Sequence, residues 1–461
     1  MNDSDMDMDM DSDMDMDMDT ILNTSESTLR EGLRMGADEV EVYAIRARDV
    51  TVFIENNSVK HVKIHEPTGI GLRVLYRRRM GFASVNTLDK DSIGYALDTA
   101  LKIAKASIYD RYNILPDPRH VDALEGIYDD SIESFSVDDA VRYANDMLNT
   151  ARGYDSRVTV DSGIFSASML IHVICNSRGI SLHERMSVFS CSIMGMAREG
   201  NSVSNFDVQS TATHRLKDID VHRTASRFAE NVVGTLESKV CEGFKGSMVL
   251  APNATLDIIK EPLVFSVNAH NVQRNASRFS KMLGREVGSS YLTVIDDARL
   301  IECINASSFD REGMPTRRNV VIDKGTLKQF LHNSYTANRS NVESTGNASG
   351  SINTPPLIDA TNFIISPGSI CYEDMIKEVK HGIIINRFSG NVNPVDGNFS
   401  GVVKGGYLIE HGEVKHPVRE VMVAGNVFDA LKSISMVSKE QVAVMDSLLP
   451  YIVVDGVSFT V

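Results

Sequence analysis

The sequence predicts an α+β protein: an N-terminal domain of antiparallel sheet with helices, followed by a β-rich C-terminal domain that carries an inserted helix. Three observations predict it. From Glu39 onward apolar and polar residues alternate with the period of two that a half-buried strand requires, and helical spacing flanks this stretch on both sides. The order helix, sheet, helix then returns between Ser136 and Leu236, which suggests an internal duplication. Beyond about residue 240 the texture changes to short strands punctuated by glycine.

The chain opens on MNDSDMDMDMDSDMDMDMDT, which holds nine Asp and no basic residue. Repulsion among these carboxylates predicts a disordered tail over residues 1–20. Its Met-x-Met spacing offers thioethers to a soft ion such as Cu(I) as the functional alternative. Ile21, Leu22, Leu29, Leu33 and Met35 then share one helical face, and Gly36 ends that helix. Val40, Val42 and Ala44, then Val50, Val52 and Ile54, alternate as strands, and Asn56-Asn57 makes a tight turn before Val59, Val62 and Ile64. An antiparallel meander is the economical reading, and residues 89–107 return to helical spacing. In the second copy Ser136 is the expected N-cap of a helix, two strand-like stretches follow, and residues 218–236 form another helix. The expected organisation is a tail over 1–20, an N-terminal α+β domain over 21–238 and a β-rich domain over 239–461, where the clear helices are residues 256–274 and NVFDALKSISMV.

With 461 residues, 42% of them hydrophobic, the chain can bury a sizeable core. No apolar run approaches the roughly 18 residues that a membrane span needs, and the acidic N-terminus does not resemble a secretory signal, so a cytoplasmic protein without membrane association is expected. Cys175, Cys191, Cys241, Cys303 and Cys371 are scattered and odd in number, which reads as reduced thiols. The formal charge is −15, of which the nine Asp of the tail account for all but −6. Such a surface repels phosphate backbones, and Arg77-Arg78-Arg79 with nearby Arg73 reads as a solvated strand end or turn. Nucleic acid is not an expected partner.

The stretch LDIIKEPLVFSVNAHNVQR, residues 256–274, carries Leu256, Ile259, Leu263 and Val267 as an apolar stripe, which most often means core. Pro262 removes a backbone donor and clashes with the carbonyl of Ile258, so a kink or a helix start lies there. His61 and His65 sit on a strand, where residues four apart are about 13 Å from each other and cannot share an ion. His411 and His416, with Glu410 and Glu413, flank a hairpin and are a weak metal candidate. No G-x-S-x-G elbow is present. ESTGNASG, residues 343–350, lacks the spacing of a nucleotide loop, and NPVDGNFSGVVKGG presents Asp396, Asn398 and Ser400.

Distributed, collinear segments resemble the TldD/PmbA family: ADEVEVYAIRARDVTVFIENNSVKHVKIHEPTGIGLRVLYRRRMGFASV, DDARLIECINASSFDREGMPTRRNVVIDKGTLKQFLHNSYTANR, STGNASG and DGNFSGVVKGGYLIEHGEVKHPVREVMVAGNVFDAL. The likeness runs over essentially all of residues 21–461. It implies two related subunits that pair. The TldD-type subunit resembles a zinc peptidase, in which a His-Glu-x-x-x-His helix and a late cysteine hold the metal, and the Glu acts on the metal-bound water.

Placed on this chain, that motif falls on KEPLVF, Lys260 to Phe265, and only Glu261 matches. An ammonium at Lys260 repels a divalent cation, Phe265 has no lone pair, and no cysteine follows Cys371. The pattern matches the PmbA/TldE-type subunit, and Glu261 alone is not carried over as a base. The resemblance implies a metal-free chain that pairs with a zinc-bearing TldD-like subunit and helps form a cleft where unfolded polypeptide is cut. Ser344, Thr345, Gly346 and Asn347 in one loop, and Asp396, Asn398 and Ser400 in another, are the cleft candidates, with structural turns as the alternative. Two other readings are a homodimeric peptide- or protein-binding protein without proteolytic role, and a stand-alone hydrolase with an unrecognised nucleophile.

Overall fold

The computed structural model describes residues 9–461, with side chains from Met18 on. Helix α1 (Asp9–Arg34) takes in residues 9–20, which charge repulsion alone predicts to be unstructured. Met18, Ile21, Ser25 and Thr28 recur at helical spacing on its buried face, and the hydroxyls of Ser25 and Thr28 donate back to the carbonyls of Ile21 and Thr24. This stripe packs on the sheet, and aspartates near a helix start are favoured by the helix dipole. Residues 1–8 lie outside the described residues, as do all thioethers of the Asp/Met stretch except that of Met18.

Two expected strands prove to be one. β1 (Glu39–Glu55) keeps Val40, Val42, Ala44, Val50, Val52 and Ile54 in phase on the core side, so nothing forces a break between the two runs. Its first half pairs with β3 (Thr68–Tyr76) and its second half with β2 (Ser58–His65), both antiparallel. The Asn56-Asn57 turn has φ of 49° and 60°, the left-handed pair that an asparagine tolerates in such a hairpin. Arg77 and Arg78, with φ of 49° and 62°, form the turn between β3 and β4 (Arg79–Val85), as expected of a basic run at a strand end.

Helix α2 (Lys90–Ala106) packs directly on β4. At Gly81 a β-carbon would lie 1.9 Å from the carbonyl oxygen of Ala100 and 2.5 Å from the amide nitrogen of Ala104, both helix backbone that cannot yield without moving the helix. Gly81→Ala is expected to push α2 off the sheet and cost about 3 kcal/mol, the upper end of ordinary overpacking. A thermal melt of the variant that coincides with wild type would sink this prediction.

The second copy follows the predicted order: α3 (Val137–Tyr154), β5 (Val158–Asn176), β6 (Ser181–Glu199), a two-residue β7 (Ser202–Val203), β8 (Asp207–Thr213) and α4 (Val221–Gly234). Ser136 caps α3 in a capping box with Asp139. Both copies feed one eight-stranded sheet, in which β1 and β5 pair antiparallel along residues 41–55 and join the halves. Helices α1 and α2 bury one cluster against this sheet, and α3 and α4 bury another around Phe135, Phe165, Phe189 and Phe228.

From β9 (Phe244–Leu250) onward, strands build a mixed thirteen-stranded sheet, with the closing strand Ser447–Thr460 near its centre. The inserted helical stretch, expected as one helix, is divided into α5 (Pro252–Thr255), a π turn (Leu256–Lys260), α6 (Glu261–Val267) and α7 (Ala269–Gln273). Pro262 has no N–H to give to the Ile258 carbonyl, and the widened turn ends just before it. Short helices that the spacing did not reveal include α8 (Ser334–Ser340), capped by Asn333. Among the described residues no helix is long and apolar enough to cross a membrane.

Candidate functional site

The π turn sets down Lys260 so that its ammonium reaches across 186 positions of sequence to Asp446, with Nζ 2.5 Å from Oδ1. Asp446 also accepts from Ser447 Oγ at 3.0 Å and Asn305 Nδ2 at 3.4 Å. Cys303 lies buried nearby; burial first, then the negative charge of Asp446, pushes its thiol up to about 12, so it stays protonated. Glu261 points to solvent, and its carboxylate has no partner among the described residues. Phe265 is partly buried, and its backbone carbonyl accepts from Asn271. Of the stripe expected as core, Ile259, Leu263 and Val267 are buried, and Leu256 packs partly buried against the same cluster.

The ESTGNASG loop turns its polar groups inward. Thr345 Oγ1 accepts from the His332 amide at 2.7 Å, Ser344 Oγ donates to the His332 carbonyl, and Gly346 has φ of +74° with a Pro315 carbonyl 2.6 Å from where a β-carbon would sit. Asn347, 1% exposed, donates to Asp296 Oδ2 at 2.6 Å and accepts from Asn319. Asp296 is itself buried, and burial raises it to about 6 in spite of the amides of Thr361 and Asn362 that it accepts. Thr345 and Asn347 therefore brace the domain interior. Asp396, Asn398 and Ser400 are exposed. Asp396 accepts from the Asn398 amide, and Asn426 ties both residues into a turn. Ser400 pairs through its backbone with Asn391 and Ala424. Among the described residues no hydrogen bond or ion pair joins the two loops.

His61 stacks on Phe53 at 4.5 Å and His65 faces Asp49 at 3.7 Å, each on the exposed strand β2. His411 is the φ +53° residue of its hairpin, His416 bonds the Pro417 carbonyl, and Glu413 is paired with Lys415. Among the described residues no three His, Cys, Asp or Glu side chains converge as metal ligands would.

His332 is 7% exposed, and burial lowers it to about 4. In the unfolded chain it takes up a proton near 6.5. The unfolded state thus binds more protons between pH 6.5 and 4, so this group's stabilisation is complete above 6.5 and lost as pH falls toward 4. His332→Gln is expected to remove about 3 kcal/mol of acid sensitivity over that interval. The readout is the wild-type minus variant difference in urea stability at each pH, because Asp296 and Asp310, both raised, act with the opposite sign. Parallel pH curves for the two proteins would refute it.

Alternation along β1 and β3 leaves Glu41 and Arg73 on the face away from the helices, where solvent is the ordinary expectation. Here the second domain covers that face. Arg73 contacts Glu41, its register partner, and donates from Nη1 to Glu312 Oε1 at 2.7 Å; Arg311 Nη1 reaches the other Glu41 oxygen at 3.2 Å and stacks over the Tyr43 ring at 3.8 Å. Glu312 also accepts from the Ser334 amide at 2.7 Å. Beside it, burial first and Glu312 next raise Asp310 to about 7. Opposite charges in register on a predicted hairpin are the signal that could have found the Glu41–Arg73 half of this network.

Models of the PmbA/TldA metallopeptidase match this chain with three domains: domain 1 over residues 40–104, the central domain over 130–236 and the C-terminal domain over 245–461. An uncharacterized protein of Methanocaldococcus jannaschii is 27% identical over 397 residues, covering 86% of this chain and 90% of that one. The metalloprotease PmbA of Escherichia coli O157:H7 is 25% identical over 439 residues, 91% and 92% of the two chains. A zinc metalloprotease TldD homolog of Saccharolobus solfataricus is 23% identical over 428 residues, 89% and 91%. Among solved structures, TldE from Thermococcus kodakarensis superposes with a TM-score of 0.88 at 24% identity, over 95% of this chain and 100% of that one.

Proposed function

Because the chain belongs to the PmbA/TldD family of metallopeptidases, we propose that it is the metal-free subunit of a two-subunit peptidase whose zinc and reacting water lie in a TldD-like partner. The observation that carries this reading is the Lys260–Asp446 ion pair. At the position where the resemblance places the first imidazole stands an ammonium committed to a carboxylate, and Phe265 stands at the second. These residues do not fit a zinc ion: a cation repels it, a phenyl ring offers no lone pair, and no alternative set of three ligands converges among the described residues. No catalytic step is therefore assigned to this chain.

Its part is to supply one wall of the cleft, holding extended, unfolded polypeptide by backbone pairing that reads little side-chain identity. The test is zinc content and hydrolysis of an unfolded protein by the purified chain, by its TldD-like counterpart and by the mixture. Zinc and activity are expected in the mixture and not in this chain alone. Stoichiometric zinc together with hydrolysis by this chain alone would overturn the assignment.

A further inference from the structure

A groove of 660 Å³ lies between the two domains, walled by the loop after α2 on one side and by residues 355–358 with the starts of α7 and α8 on the other. It is a built feature. Asn268 donates to the Ile358 carbonyl, and Asn333 donates to those of Pro356 and Leu357, which fixes the second wall. Its apolar residues are unusually bare: Ile108 is 89% exposed, Tyr109 60% and Leu357 54%. Exposed apolar side chains gathered from two domains around one concavity mark a binding surface more often than a solvated one.

Behind two residues of its lining, His270 and Tyr335, stand two cations that do not themselves line the groove. Arg274, at the end of α7, approaches His270 with Nη1 3.4 Å from Nε2, and Arg339, in the last turn of α8, lies close to the Tyr335 hydroxyl. Gln273 ties the two helices together by donating to the Thr336 carbonyl and Ser340 Oγ. Neither guanidinium has a carboxylate partner among the described residues. The nearest acid of the lining, Asp110, accepts from Tyr335 at 2.7 Å, and the Arg73 head is turned into the buried network.

An apolar shelf beside two unpaired guanidiniums is complementary to one ligand chemistry in particular: an apolar side chain next to a carboxylate. We infer that this groove takes the C-terminal end of an unfolded polypeptide, with the terminal carboxylate at Arg274 and Arg339 and an apolar last residue on Ile108, Tyr109 and Leu357. The groove has room for a chain end but not for a folded partner. The inference deepens the proposed role, since it rests on this chain holding polypeptide for its partner, and it gives that role a preference for chain ends.

The test uses the full chain alone and fluorescence anisotropy with a labelled unstructured hexapeptide ending in leucine, as free acid, as amide, and as an amide with an internal Glu that restores the charge. The free acid is expected to bind at least about tenfold tighter than either amide, the discrimination that a charge-assisted pair provides. Arg274→Gln with Arg339→Gln should abolish that difference, and Ile108→Ser should weaken all three peptides. Both arginines and Ile108 are at the surface, so circular dichroism should report an unchanged fold. Equal binding of acid and amide, tight binding of the internal-Glu peptide, no binding, or insensitivity to the arginine pair would each overturn the assignment. None of these would touch the proposed subunit role, which stands or falls on zinc and hydrolysis in the mixture.

Discussion

Arg73→Leu is expected to lower the stability of the chain by about 3–5 kcal/mol, the usual cost of removing one partner from a buried ion pair. The guanidinium is 8% exposed and serves two acids that are themselves sealed, Glu41 and Glu312. Burial alone would lower its proton affinity, and the two carboxylates more than reverse this, so Arg73 is held above even the ordinary arginine range. Without it Glu41 keeps Arg311, but Glu312 keeps only the Ser334 amide as a hydrogen-bond partner and becomes a buried charge without its ion pair. Adding Glu312→Gln should recover part of the loss, because the double variant leaves fewer unpaired charges than the single one. The midpoint of urea denaturation reports both effects. A loss below about 1 kcal/mol for the single variant would mean that water reaches the network and screens it.

The other large effect concerns the proposed enzyme pair. Replacing the glutamate of the partner's His-Glu-x-x-x-His helix by glutamine is expected to cut hydrolysis of unfolded protein by the mixture on the order of 10²–10³-fold, the size of general acid–base and metal contributions. Glu261→Gln in this chain should leave the rate within about twofold. The two glutamates occupy corresponding positions by the resemblance, but Glu261 faces solvent beside Lys260 and Phe265. A loss of activity in Glu261→Gln comparable to that of the partner's variant would place chemistry in this chain and defeat the proposal.

The elements that were legible in the sequence are those with a local cause. The Asn56-Asn57 turn, the Ser136 cap, the basic turn at Arg77-Arg78 and the repeated helix–sheet–helix order all follow from backbone preference or periodicity within a few residues. What was not legible has a non-local cause. Counting only charge left residues 9–20 unstructured, whereas the helix there is secured by what Met18 and Ile21 bury against the sheet. Loop glycines and polar residues at 344–347 resemble cleft lining in sequence, yet Thr345 and Asn347 are spent on His332 and Asp296, partners that lie elsewhere in the chain.

The sequence by itself determined the fold class through short-range periodicity and the family through the resemblance of distributed segments, and an ammonium at Lys260 and a phenyl ring at Phe265 are unsuited to zinc by their chemistry alone, which needs no neighbours to be read. Only the tertiary structure decided which charges are paired and which are not. Lys260 meets Asp446 and Arg73 meets Glu312 across 186 and 239 positions, while Arg274 and Arg339 stand beside His270 and Tyr335 without a carboxylate partner among the described residues. Alternation says which face of a strand a residue occupies, but not what covers that face. For Glu41 and Arg73 the covering layer is the second domain, and its low dielectric turns an ordinary cross-strand pair into one of the links between the two domains.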